Sequence, residues 1–385
     1  MDPELRIAFA VNRYLPSTGG TELHVRRLAD YLTGAGHRVT VLTHDLDNGE
    51  PLEEVIDGVR VLRFLPLVPT THFMASPSLG HHLATHQDDY DLVHAHGYHD
   101  TPALMAALTW HGPLVFTPHY HGSSDSRLRS ALHVPYRAVG RRIVRRADAV
   151  VCVTDAERRR LGDRFPGALP KSTVISNGVD VERFTTAAVL PAEPDGRRRI
   201  VCAGRLDAYK RVDRVIDAMT LLSDRFVLEI CGDGPARTEL ERRVAALDLG
   251  GSVRIRGRVT DSELASQIRS AAVLVSMSEQ EAQGIVLLEA TAAGVPSVAS
   301  GIPAHADVRR QTEGAVDLVP ERVTTADLAA AIRRAADRPA PDQFVPSWSE
   351  VGLQTEMLYT RVLGADQKVS SNRGEAPVGG CSAAA

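Results

Sequence analysis

The chain has 385 residues, 43% of them hydrophobic and 24% charged. That is the composition of a soluble globular protein, too long for one ordinary core and suited to two. A net charge of -4, no apolar run long enough to span a bilayer, and a start at Met1-Asp2-Pro3-Glu4-Leu5-Arg6 that passes straight into a strand give no support for a nucleic-acid partner, a membrane span or a secretory leader, so a cytoplasmic protein is expected.

Cys152, Cys202 and Cys231 fall in predicted buried strands, and with Cys381 they show no zinc or disulfide spacing. Lysine is scarce, present only as Lys171, Lys210 and Lys368 among many arginines, so a lysine at a motif position stands out.

In chain order, Arg6 to Val11 reads as a strand, and a loop ending in Gly19-Gly20 leads to a helix with Leu23, Leu28 and Leu32 at helical spacing. Val39 to Thr43 is the next strand. Strand, glycine loop, helix, strand is a βαβ unit and therefore the start of a parallel sheet. Gly19-Gly20 lies where open α/β sheets bind ligands, or is simply a tight turn; it is not the G-x-G-x-x-G fingerprint of a nicotinamide site.

Further apolar runs at 59–64, 91–97, 114–117, 149–153 and 173–175 complete one doubly wound domain. His94 and His96 alternate at one strand end, and Pro118-His119-Tyr120-His121-Gly122 follows the next. A metal site and strand-end packing are both readings of these histidines, and no H-x-x-x-H or carboxylate spacing favours the metal. The segment Arg127 to Arg146, with Arg137, Arg141, Arg142, Arg145 and Arg146 interleaved with apolar residues, reads as a solvated helix face or as a peripheral contact with an anionic membrane surface.

A polar, proline-containing stretch from Thr185 to Arg199 marks a boundary. A second alternating set follows, with strands at 200–203, 226–231, 253–256, 273–277, 297–300 and 315–319. After its first strand comes Gly204-Arg205-Leu206-Asp207-Ala208-Tyr209-Lys210. An arginine fork and a flexible ammonium suit a diphosphate leaving group, although both are also ordinary surface cations.

After the 273–277 strand, a loop carries Glu281 into a helix that starts near Gly284, bears Glu289 on its second turn, and stops at Gly294-Val295-Pro296. The N–H groups of Gly284, Ile285 and Val286 would point at an anion such as a diphosphate. The two carboxylates suit sugar hydroxyls, because an ionised carboxylate only accepts. Taken singly, they read equally as a solvated loop acid and an ordinary helix residue.

Glu281, seven intervening residues, Glu289, and then Ala-x-Ala-Ala-Gly-x-Pro resemble the signature of the retaining glycosyltransferases of family 4, in the GT-B class. Gly-Arg-Leu at 204–206 followed by Lys210, and Ser176-Asn177-Gly178-Val179-Asp180, match further motifs of that family in order and spacing. The resemblance implies an α/β fold of two doubly wound Rossmann-like domains facing across a cleft. It places an acceptor-side domain at 1–183, a nucleotide-sugar domain at 184–345, a helix crossing back onto the first domain at 346–364, and a disordered tail at 365–385.

The resemblance also implies site roles. Glu281 and His119 contact the donor sugar, Glu289 the ribose, and the N–H groups at 284–286 the diphosphate or the sugar, while Arg205 and Lys210 stabilise the diphosphate as it leaves. Gly19, Gly20 and Gly204 line the cleft, Arg258 lies near the base, and His96, Tyr120 and His121 line the pocket. The chain departs from the family pattern at Gln283, where an aromatic is usual, and at Ser176, where proline is usual.

The expected activity is transfer of a hexose-type sugar from a UDP-, GDP- or ADP-sugar to the hydroxyl of a lipid carrier, polysaccharide or small metabolite, with no metal or other cofactor. For a D-x-D metal design Asp45-Leu46-Asp47 fits the letters, but it lies in the loop after the second strand and has no supporting motif. The alternatives are a hydrolase- or epimerase-like enzyme of the same class and a non-catalytic nucleotide-sugar binding protein.

Overall fold

The computed structural model describes residues 4–17, 19–44, 51–67, 76–98, 100–120, 127–342 and 344–374, with the backbone alone for 127–136 and 365–374. His121, Asp45-Leu46-Asp47 and Cys381 therefore lie outside the described residues, as do the side chains of the first half of the basic Arg127–Arg146 helix. In the second half of that helix Ile143 and Val144 are buried while Arg141, Arg142 and Arg145 are exposed. Among the described residues no helix is long and apolar enough to cross a membrane.

The strands of the first sheet are β1 (Arg6–Ala10), β2 (Arg38–His44), β3 (Glu53–Ile56), β4 (Val59–Phe64), β5 (Leu92–His96), β6 (Leu114–Thr117), β7 (Ala149–Cys152) and β8 (Ser172–Val174), in spatial order β3-β4-β2-β1-β5-β6-β7-β8. Those of the second are β9 (Arg198–Ala203), β10 (Phe226–Cys231), β11 (Val253–Gly257), β12 (Val273–Ser276), β13 (Ser297–Ser300) and β14 (Val316–Val319), in order β11-β10-β9-β12-β13-β14. Among the described residues every ladder but one is parallel, and the parallel part of each sheet reverses its order once, between β1 and β5 in the first and between β9 and β12 in the second.

Alternate residues of each strand enter separate cores. Ile7 and Phe9 pack on one face of the first sheet and Ala8 and Ala10 on the other, while Ile200 and Val201 divide in the same way in the second. Both faces are covered, so the strands are continuous apolar runs, and each fully buried Leu, Ile or Phe contributes roughly 1.5–3 kcal/mol.

The exception is β3, which pairs antiparallel with β4. Asp57 and Gly58 turn the chain between them at φ 51° and 84°, the paired positive φ of a two-residue hairpin turn. A search for apolar runs passes over β3 because it is a half-exposed edge strand with two glutamates.

The chain crosses between the two domains twice, and the crossings lie side by side. Val179 N donates to Pro346 O at 2.8 Å, and Val179 bridges in parallel to Ser347. Gly178 permits this approach, because a Cβ there would stand 2.7 Å from Trp348 N.

The final helix, Trp348–Gly374, then returns to the first domain and buries Val351, Leu358, Tyr359 and Val362 against Val25, Leu28 and Leu32 of the Gly20–Gly34 helix. The Tyr359 hydroxyl meets His94 Nδ1 at 2.7 Å. Its backbone stays helical to Gly374, past the end expected near Gly364. Ala365-Asp366-Gln367-Lys368 contains no proline to stop it, and one interior glycine costs only about 1 kcal/mol. Of the expected tail, 375–385 lies outside the described residues.

The two helices come so close that a Cβ on Gly352 would lie 2.2 Å from the Tyr31 ring. Gly352→Ala is therefore expected to lower the stability of the first domain by about 1–3 kcal/mol, the usual cost of overpacking, measurable by denaturant unfolding followed at Trp348. Gly364→Ala, a position with nothing within 4 Å of a Cβ, serves as the control.

Candidate active site

In open α/β sheets the loops leaving two neighbouring strands part company where the strand order reverses, and the crevice between them is the place for a ligand. In the second sheet those loops follow β9 and β12. The first runs through Gly204 and Arg205 into a short 3-10 turn, Ala208–Lys210; the second leads through 277–284 into the helix Ile285–Ala292. Glu279 N donates to Tyr209 O at 2.8 Å, tying the two loops together.

Between them lies a cleft lined by Gly204, Arg205, Lys210, Ser278, Glu281 and Val286. Lys210 Nζ donates to Glu281 Oε1 at 2.5 Å, with the two side chains only 21% and 16% exposed. Burial pushes the Glu281 carboxyl up, but the Lys210 charge and hydrogen bond more than offset it and hold the carboxyl below its ordinary range. Burial likewise pulls the Lys210 ammonium down, and the Glu281 charge reverses this, leaving it above its ordinary value. Both groups stay ionised, each dependent on the other. Arg205 stands apart at 65% exposure, 3.3 Å from Asp207, and so presents a guanidinium to whatever enters.

Gly284 precedes the Ile285–Ala292 helix at φ 97°, a left-handed conformation, and its carbonyl accepts from Leu287 N at 3.0 Å, while the N–H groups of Ile285 and Val286 at the helix start have no partner within the helix. A Cβ on Gly284 would also come within 3.1 Å of His305 Cδ2. Sequence reasoning missed His305. Its Nδ1 lies 2.9 Å from Ser300 O, and its Nε2 has no partner among the described residues. Burial holds this imidazole below its ordinary pKa, against the pull of Glu281.

Glu289 is not the free carboxylate that the motif suggests. It is buried and pairs with Arg183 Nη2 at 3.2 Å, and that same Arg183 reaches Asp261 at 3.0 Å. Burial pushes the Glu289 carboxyl up to about 7, with Arg183 pulling the other way. Arg183 sits on the helix Val181–Thr186 just after the first crossing, too far from the motif in sequence for its letters to announce the pair.

The first domain faces this cleft with the loops that follow β1, β5 and β6. Gly19 and Gly20 begin the Gly20–Gly34 helix, and both are exposed. His24 on that helix, His96 and His119 come together with ring centres 5.1–5.6 Å apart. His119 is held at φ 48°, and Tyr120 beside it is buried. The loop is braced by Glu157, whose carboxylate accepts from Tyr120 N at 2.5 Å and Val153 N at 2.6 Å, and which burial pushes up to about 7 in spite of those bonds. His24 and Glu157 were not legible as site residues, since each reads locally as an ordinary helix position.

Among the described residues, His24, His96 and His119 are the group whose nitrogens could share a metal ion, lying within 4.8 Å of one another. His24 Nδ1 is engaged by Asn177 at 2.7 Å, and His96 Nδ1 lies 3.3 Å from His119 Nε2. His94, by contrast, is a packing histidine, bound on both nitrogens by Tyr359 and Thr117.

The two domains meet through polar contacts. Thr154 Oγ1 donates to Ala282 O at 2.9 Å, Ala156 N to Asp307 Oδ2 at 2.6 Å, and Asn177 to Gln283. Gln283 is thus turned toward the first domain. Arg258, expected near a nucleotide base, is exposed after the edge strand β11 and is not part of the cleft lining.

Two outcomes follow from these pairings. Lys210→Met leaves Glu281 half-buried without its counter-charge, so a loss of about 2 kcal/mol is expected by denaturant unfolding, largely recovered in Lys210→Met/Glu281→Gln. With its pKa near 7, Glu289 is ionised above that pH and protonated below it. Affinity for a ligand whose hydroxyls it accepts should therefore fall up to about tenfold per unit below pH 7 and level off above it, and Glu289→Gln should flatten the profile in calorimetric titrations.

Glycosyltransferase Family 4 matches residues 18–183 of the chain, and Glycosyl transferases group 1 matches residues 189–345. The chain is 32% identical over 386 residues to a phosphatidyl-myo-inositol mannosyltransferase of Mycolicibacterium smegmatis, covering 93% of this chain and 95% of that one. It is 29% identical over 401 residues to a glycogen synthase of Mycobacterium tuberculosis, covering 96% of each. Its fold resembles a sucrose-phosphate synthase of Thermosynechococcus elongatus, with a TM-score of 0.75, 21% identity and coverage of 94% and 100%. It also resembles Alr3699/HepE of Anabaena solved with UDP-glucose, with a TM-score of 0.69, 18% identity and coverage of 96% and 100%. With two Rossmann-like domains facing one cleft and relatives of this kind over nearly its whole length, the chain belongs to the group 1, family 4 glycosyltransferases of the GT-B fold.

Proposed function

We propose that this glycosyltransferase moves a hexose-type sugar from a UDP-, GDP- or ADP-sugar to an acceptor hydroxyl with retention at the anomeric carbon and without a metal. The observation that carries the reading is the cleft at the β9/β12 reversal. Arg205, Lys210 and Glu281 line it together with Val286, in the first turn of the Ile285–Ala292 helix.

Glu281 neutralises Lys210. A donor diphosphate takes over that ammonium, with Arg205 and the N-terminus of the Ile285–Ala292 helix completing its cradle, and frees Glu281 to accept from sugar hydroxyls. As the bond from the anomeric carbon to the diphosphate oxygen breaks, the leaving group gains negative charge, and these fixed positive groups stabilise it. The acceptor oxygen bonds to the same face of that carbon, and its proton passes to the departing phosphate. His119 and Glu281 hold the sugar, and Glu289 the ribose. Gly19, Gly20 and Gly204 keep the approach to the diphosphate open, and Arg258 lies toward the base.

The acceptor is proposed as a lipid carrier, a polysaccharide or a small metabolite, a range within which the names of the mannosyltransferase and glycogen synthase relatives fall. Exposed Arg141, Arg142 and Arg145 opposite buried Ile143 and Val144 support peripheral contact with an anionic membrane surface.

A thermal-shift panel of UDP-, GDP- and ADP-sugars is the first test. One donor should stabilise the wild type and fail to stabilise Lys210→Ala. With that donor and an acceptor, turnover should survive dialysis against EDTA, Arg205→Ala should lower kcat by about 10²–10³-fold, and NMR of the product should show the donor's anomeric configuration. Donor cleavage without transfer would indicate a hydrolase, binding without turnover a carrier protein, and inversion or EDTA sensitivity would each overturn that part of the reading.

A further inference from the structure

Gln283 and Ser176, the two positions where the chain departs from its family's usual letters, touch each other across the domain boundary. Gln283 is 2% exposed, and its Nε2 donates to Ser176 Oγ at 2.5 Å. Its Oε1 accepts from Asn177 twice, from the backbone N at 3.0 Å and from Nδ2 at 2.6 Å. Ser176 Oγ donates in turn to Asn177 O at 3.1 Å. A phenylalanine at 283 or a proline at 176 could make none of these side-chain bonds.

The hydrogen-bond directions in this seam are forced. A backbone N–H only donates, so the Gln283 atom facing Asn177 N is the oxygen. The Asn177 atom facing that oxygen must therefore be the NH₂, which leaves Asn177 Oδ1 facing His24 Nδ1 at 2.7 Å. An amide oxygen only accepts, so His24 carries its proton on Nδ1 and presents a bare lone pair at Nε2. Burial keeps the ring neutral. That ring meets His119 edge-on at 5.1 Å and His96 at 5.4 Å.

We propose that Gln283 is a positioning residue. By orienting the Asn177 amide it fixes the tautomer of His24, and so places a hydrogen-bond acceptor beside His119 whenever the two domains are together. Gln283 lies one residue ahead of Gly284, at the entrance to the helix that cradles the donor, whereas His24 lies on the first helix of the other domain. The tautomer is therefore read across the cleft: separating the domains removes Gln283, releases the Asn177 amide and frees His24 to exchange tautomers. The sugar-facing consequence rests on the transferase reading above; the tautomer does not.

The test is long-range ¹H–¹⁵N NMR of the full chain labelled with ¹⁵N-histidine, with His24 assigned by its absence in His24→Gln. The wild type should show His24 as the Nδ1–H tautomer. Gln283→Leu, which lets the Asn177 amide turn, should show the Nε2–H form or a mixture and lose tenfold or more in kcat. Gln283→Glu, whose carboxylate can only accept from the same two Asn177 groups, should restore the Nδ1–H form and most of the lost turnover.

A wild-type His24 protonated at Nε2, or an unchanged tautomer in Gln283→Leu, would overturn the proposal. So would equal losses of turnover in Gln283→Leu and Gln283→Glu, which would mark Gln283 as a structural prop. Should Gln283→Leu not fold, the wild type and Gln283→Glu spectra still decide the tautomer. A wild type with the expected tautomer but no turnover would count against the transferase reading alone.

Discussion

A parallel sheet that reverses its strand order leaves two loops that must turn away from each other, and the opening between them is a constraint on which the rest of this molecule depends. The chain makes that opening twice, at β1/β5 and at β9/β12, and sets the two face to face. In the second the opening is bridged by Lys210 and Glu281, a pair whose charges persist under burial because each offsets the desolvation of the other. A pair of this kind is poor glue, because the cost of burying two charges offsets most of their attraction.

Two separate cores need something to hold them in register, and here it is polar. The side-by-side crossings at Val179 and Pro346 limit how far the domains can part, and the final helix ties the second crossing back to the first domain through Tyr359 and Gly352. The seam across the cleft includes hydrogen bonds from Thr154 to Ala282, from Ala156 to Asp307, from Asn177 twice to Gln283, and from Gln283 to Ser176. Each contributes about 1 kcal/mol net, and their directions define how the two domains meet. Apolar burial across the same boundary would hold the domains together without dictating their angle, because it is non-directional.

Several parts of this were legible beforehand and several were not, for identifiable reasons. The parallel strands show as apolar runs because both of their faces are buried. β3 does not, being an edge strand whose clearest sign is the Asp57-Gly58 turn after it. Lys210 stood out against a background of arginine, and Glu281 through its spacing from Glu289. The pairing of Glu289 with Arg183 was hidden because its partner arrives from the first crossing, far away in sequence. Glu157 was hidden because what it braces, the backbone of the loop carrying His119 and Tyr120, belongs to another strand. Gln283 was visible only as a departure from a pattern, and its direction, toward the first domain, could be known only once the domains were placed.

The sequence by itself determined the two α/β halves, the loops that follow their strands and the cationic and acidic residues in those loops. These depend on local periodicity, glycine and proline positions and residue chemistry, all of which act over a few residues. Only the tertiary structure decided which of those residues meet. The Lys210–Glu281 and Arg183–Glu289 pairs, the convergence of His24, His96 and His119, and the Gln283–Asn177–His24 chain each join segments far apart in the chain. A side chain's charge, tautomer and hydrogen-bond direction are set by what surrounds it in space, and burial at a domain interface fixes them through neighbours that no local pattern specifies.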